Sequence, residues 1–147
     1  MSTLPEFFKR YGKQTTTNFD LMKIASLENI DPFYVVMRDE IKDLPKDNLK
    51  AVTNIHTTDE PGVHWSCFAK TPKGNFFFDS YALPPTKEVK DFLGHATYNT
   101  FSIQKPGTTE CGQLCMFVLQ QLTKGKDFTD IILSLKENEN VSTPIRS

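Results

Sequence analysis

Residues 63–80 read VHWSCFAKTPKGNFFFDS. Two runs rich in aromatic and small apolar residues flank Thr71-Pro72-Lys73-Gly74, a turn signal, so strands are expected at Val63–Lys70 and Asn75–Asp79, folded on one another as a hairpin. Side chains alternate along a strand, which points His64, Ser66 and Phe68 one way and Val63, Trp65 and Cys67 the other. A hairpin lays the start of its first strand beside the end of its second. His64 is thereby expected next to Asp79.

Working outward, Lys50–His56 predicts a strand ahead of the hairpin, and PFYVVM predicts a buried one over Phe33–Met37, with a polar connection between them. Asn18 reads as a helix cap, followed by an apolar face of Phe19, Leu21, Met22, Ile24, Ala25 and Leu27 that ends before Asp31-Pro32. Beyond the hairpin come a short helix over Thr86–Leu93 stopped by Gly94, a strand over Tyr98–Ile103 and a turn at Lys105-Pro106-Gly107. Leu114, Cys115, Val118, Leu119 and Leu122 recur at helical spacing, which predicts a helix over Cys111–Leu122 ended by Gly125, and a last helix is expected over Asp127–Lys136. The sum is an α+β domain, a mostly antiparallel sheet of about four or five strands with helices on its faces. With no internal repeat, residues 1–147 read as one domain with a flexible tail over 137–147.

The chain has 147 residues, 38% of them hydrophobic and 12% aromatic, enough for a core and against disorder throughout. Its 17 Lys+Arg against 18 Asp+Glu leave a formal charge of -1, which argues against nucleic acid or an anionic membrane as the main partner. No apolar run approaches membrane-spanning length, and the first residues lack the pattern of a secretory signal, so the mature protein is expected to begin near Met1. The three cysteines, Cys67, Cys111 and Cys115, are an odd set, which points to a reducing, intracellular compartment rather than a disulfide framework.

Cys111 sits where a polar loop, KPGTTE, turns into an apolar helix. The unsatisfied N–H groups and dipole of a first turn favour thiolate there. A nucleophilic thiolate needs a base and a group to orient that base, and His64 with Asp79 fits those roles. Gln104, seven residues before Cys111, can aim a side-chain N–H at the oxygen of a tetrahedral intermediate, alongside the Cys111 N–H. Plainer readings stand beside these. Cys67 and Cys115 read as small core residues, His56 and His95 as surface histidines, Asp79 as a turn former, Gln104 as a polar strand end and Trp65 as core filler. Zinc needs paired ligands at short spacing with more partners than Cys111 and Cys115 provide, and no phosphate loop is present, so neither a metal nor an organic cofactor is expected.

The order His64, Asp79, Gln104, Cys111, carried by GVHWSCFAK, FFFDSYALPP and the stretch from Gln104 through ECGQLCMFVL, resembles the adenovirus-type maturation proteases and their relatives that process ubiquitin-like modifiers. The resemblance spans Gly62 to Leu119. It implies a papain-like fold with base and acid ahead of the nucleophile, and thiol-dependent peptide hydrolysis after small residues, commonly glycine. It also implies that Trp65 walls a narrow substrate channel. The shortness of the chain favours the viral branch, with virion precursors as substrates and a host cytoplasmic, nuclear or virion setting. Adenovirus-type enzymes are activated by a peptide and by DNA; the near-neutral charge here speaks against the DNA. A monomer is expected. A peptidase or isopeptidase acting on ubiquitin-like modifiers, an acyltransferase using the same residues, and a non-catalytic interaction module are the alternatives.

Overall fold

A computed structural model of the chain describes residues 3–59 and 64–142. In chain order the elements are α1 (Leu4–Tyr11), α2 (Asn18–Leu27), β1 (Phe33–Val36), a 3-10 helix (Arg38–Asp43), β2 (Leu49–Asn54), β3 (Trp65–Thr71), β4 (Gly74–Phe78), α3 (Lys87–Leu93), β5 (Thr97–Tyr98), α4 (Cys111–Thr123) and α5 (Phe128–Ser142). The strands form one sheet in the order β1-β2-β3-β4-β5.

The hairpin forms as its sequence requires: β3 and β4 pair antiparallel, with Cys67 opposite Phe78 and Thr71 opposite Gly74 across the turn. Gly74 has φ +142°, open to glycine and strained for other residues. β2 also pairs antiparallel with β3. The expectation of a mostly antiparallel sheet is corrected at both edges, where β1 runs parallel to β2 and β5 parallel to β4. The chain crosses over through the 3-10 helix in the first case and α3 in the second, and such crossovers return a strand in the same direction. The fold is α+β with a mixed five-stranded sheet flanked by helices.

The alternation of β3 divides the core. Cys67 and Ala69 join Val52 and Phe78 beneath α1, α2, α4 and α5, while Phe68 joins Ala51 and Phe77 on the opposite face against α3 and the 3-10 helix. Helix α4 is buried along nearly its whole length, which accounts for a sequence apolar on most sides, and each such buried Leu, Met or Phe contributes roughly 1.5–3 kcal/mol.

Several boundaries differ from the sequence reading. Helix α1 was not anticipated, although Thr3 and Glu6 form a capping box around Pro5. Thr17 rather than Asn18 caps α2, with Asp20 closing its box. Of the apolar face expected for α2, Leu21, Ile24 and Ala25 are buried but Phe19, Met22 and Leu27 are exposed, because only one side of the helix meets α4 and β1. The strand expected over Tyr98–Ile103 stops at Tyr98. Beyond it the Asn99 amide donates to the Phe101 carbonyl, and the Ile103 and Gln104 N–H groups turn away to the Ser80 carbonyl. Helix α5 continues past Lys136 to Ser142, into the segment expected to be a tail; residues 143–147, like Val63, lie outside the described residues.

Candidate active site

Cys111 is the first residue of α4, where main-chain N–H groups have no partner within the helix, and the preceding Glu110 side chain does not cap them. Its sulfur lies 3.5 Å from the Trp65 N–H and is nearly covered, at 9% exposure. His64 precedes β3 directly, and its Nε2 lies 2.9 Å from Asp79 Oδ2. Burial works against the charged imidazole, but hydrogen bonds to Asp79 and to Cys111 outweigh it and raise the His64 pKa to about 9. Asp79 holds Nε2, so Nδ1 is left for the sulfur.

Asp79 is itself fixed on every side. Its Oδ1 accepts from the Tyr81 N–H at 2.8 Å and the Leu83 N–H at 3.3 Å. The buried Asn99 side chain brackets its main chain, accepting from the Asp79 N–H at 3.0 Å and donating to the Asp79 carbonyl at 2.7 Å. Gln104 is also buried. Its Oε1 accepts from the Ser80 hydroxyl and its Nε2 donates to the Thr108 carbonyl at 2.9 Å, which leaves the second amide hydrogen for a ligand. Ser80 joins the two groups: its carbonyl accepts from the N–H of Ile103 at 2.7 Å, the N–H of Gln104 at 2.9 Å and the hydroxyl of Ser102 at 3.2 Å.

The opposite wall is an irregular strap, residues 13–17, between α1 and α2. Its carbonyls at Lys13, Gln14 and Thr16 accept from the Thr109 hydroxyl, the Gln113 amide and the Trp65 indole at 2.6, 2.8 and 3.1 Å. The Thr16 hydroxyl, though buried, has no partner among the described residues, and it faces Gly112 so closely that a Cβ there would lie 2.0 Å from it. Between the walls is a cleft of about 180 Å³ lined by His64, Trp65, Tyr81, Gln104, Cys111 and Thr16 among others. Wider hollows of about 400 and 500 Å³, one beside Arg38 and Glu88 and one beside Lys50 and Phe128, contain neither histidine nor cysteine.

His64 and Trp65 at the start of β3, Gln104 from the 99–110 loop and Cys111 from α4 thus line one cleft, and Asp79, just past β4, reaches it through His64. His56 and His95 are elsewhere; His95 is exposed, while His56, expected at the surface, is half-buried. Cys67 and Cys115 are buried thiols, and burial pushes the Cys115 thiol well up. Among the described residues no cluster of His, Cys, Asp and Glu could hold a metal ion. Ser80, Tyr81, Asn99 and the strap were missed by sequence reasoning. Tyr81 stacks on the His64 ring with centroids 5.0 Å apart and planes at 28°. None of these carries a local signal, since their partners lie about twenty residues or more away, except that two serines and an asparagine flank predicted strand ends, where such side chains engage the main chain. A sulfur, an imidazole, a carboxylate and an amide in this order can form and break an acyl-sulfur bond. No model of a known protein family matches the chain, and no curated protein does.

Proposed function

We propose that the chain is a cysteine endopeptidase of the adenovirus-type kind, with the papain-like arrangement that its sequence motifs imply. The observation that carries this reading is His64 held between Asp79 and Cys111, with Gln104 in the same cleft. The Cys111 thiolate attacks the scissile carbonyl carbon, and the negative charge moves to its oxygen, which takes hydrogen bonds from the Gln104 amide and the Cys111 N–H. The tetrahedral intermediate collapses with cleavage of the C–N bond as the His64 imidazolium gives its proton to the leaving amine. Water, deprotonated by His64, then attacks the thioester; its C–S bond breaks, acid product leaves, and thiolate and imidazolium are restored. Asp79 holds the imidazole orientation and stabilises its charge through both half-reactions. No residue in this sequence of steps requires a metal or organic cofactor.

The cleft of about 180 Å³, with Trp65 tied to the strap, supports a substrate of small residues at the scissile bond. A virion precursor with a glycine-containing cleavage motif is the substrate this reading names. Among the described residues no helix is long and apolar enough to cross a membrane. The test is intact-mass labelling with a peptide electrophile ending in Gly-Gly. A single adduct, absent in Cys111→Ala and slowed in His64→Ala, is the expected result. An adduct that survives Cys111→Ala sinks the assignment of the nucleophile, and no adduct at all sinks the peptidase.

A further inference from the structure

In-plane contacts at Nε2 and Nδ1 fix where the His64 ring sits but leave it free to tip about the line joining those two atoms. Something must lie on a face of the ring to stop that. The only aromatic ring stacked on it among the described residues is Tyr81, at 5.0 Å and 28°. Tyr81 also donates its N–H to the Asp79 carboxylate at 2.8 Å, and its hydroxyl lies 3.5 Å from the carbonyls of both Lys105 and Thr108. The Thr108 carbonyl is the one that receives the Gln104 amide. Tyr81 is half-buried and His64 only 7% exposed, and the phenol ring covers one face of the imidazole.

We infer that Tyr81 is a positioning residue: its ring on the imidazole, its N–H on Asp79 and its hydroxyl against the 105–108 segment hold the base flat, dry and in register with Gln104. This rests on the peptidase reading and adds a component to it. A π face over the ring also favours the imidazolium that waits beside the thiolate. Removing the ring allows the imidazole to tip and admits water to its face, so fewer molecules hold the ion pair at low pH. Among the described residues, the titratable groups that meet His64 aside from Tyr81 itself are Asp79 and Cys111.

The test follows alkylation of Cys111 by iodoacetamide from about pH 5 to about pH 10, read by intact mass, with Cys111→Ala to identify the adduct. In the wild-type protein the acid limb is expected to move on His64→Ala, which removes the imidazole beside the sulfur. Tyr81→Leu should move the acid limb of that profile upward and slow alkylation about tenfold near pH 6. Tyr81→Phe, which restores the ring, should return the limb most of the way. A merely structural tyrosine would alter the melting temperature and leave the limb in place. A Tyr81→Leu profile superimposed on the wild type overturns the inference; if that variant does not fold, Tyr81→Met is judged by the same criterion. A wild-type profile that His64→Ala leaves unchanged overturns the peptidase reading itself, so the two failures are distinct.

Discussion

The two walls of the cleft are built in opposite ways. On the His64 side, side chains and main chain between Asp79 and Gln104 bind one another: Asn99 brackets Asp79, Ser80 joins Asp79 to Gln104, and the carboxylate takes two N–H groups from its own turn. On the strap side, the carbonyls of Lys13, Gln14 and Thr16 are each held by one side chain, projecting from Thr109, Gln113 and Trp65 respectively. In the proposed peptidase the first wall would hold the groups that exchange protons, and the second would shape the space. If the proposal holds, chemistry and recognition are separable, with loss of turnover expected from damage to the first wall and weaker substrate affinity from damage to the second.

The sharpest way to break this contrast is Asp79→Asn, which keeps the shape and removes the charge that orients and stabilises the imidazolium. Turnover of a Gly-Gly peptide substrate should fall about 10⁴-fold with little change in KM; a loss below tenfold would mean this wall is not chemical. Gln104→Ala comes next, expected to lower kcat about a hundredfold while the protein stays folded, and unchanged turnover would remove Gln104 from the oxyanion site. A third test reads stability. His64 has a folded-state pKa near 9, above its ordinary 6.5, so the folded protein holds the proton more tightly and gains stability that is fully present below about pH 6.5. That gain, on the order of 3 kcal/mol, should drain away as pH rises to about 9, and urea midpoints of His64→Gln should lack the slope. The smallest effect belongs to the strap. Gly112→Ala gains about 1 kcal/mol of helix propensity, but its methyl collides with Thr16, and overpacking costs about 1–3 kcal/mol. A net loss near 1 kcal/mol is expected in denaturant melts, with KM raised more than kcat is lowered.

Much of the first wall was legible because it is local. The Pro72-Lys73-Gly74 turn and the alternation around it fix the pairing that joins His64 to Asp79, and a loop entering an apolar helix marks Cys111. The rest depends on residues far apart. Nothing in TTTNFD indicates that Thr16 will lie against Gly112, and nothing near Tyr81 indicates that its ring will cover His64. Helix α2 shows a limit of periodicity: Phe19, Met22 and Leu27 have the spacing of a core face, yet the fold offers packing for only part of the helix. The parallel edges of the sheet were missed because a connection's polar sequence does not reveal that it crosses over. Helix α1 was the avoidable miss, since Thr3, Pro5 and Glu6 are a start signal readable in the sequence.

The Ser80 carbonyl, with its three donors, also has a consequence for motion. The segment after β5 has no ladder to protect it, and such a loop ordinarily opens at little free-energy cost. Here rotation of one peptide plane would break the bonds from Ile103, Gln104 and Ser102 together. Hydrogen exchange should therefore show two slow amides, those of Ile103 and Gln104, inside a stretch whose other amides exchange quickly. A loop by shape, the segment is expected to be pinned to the end of β4 at those two residues.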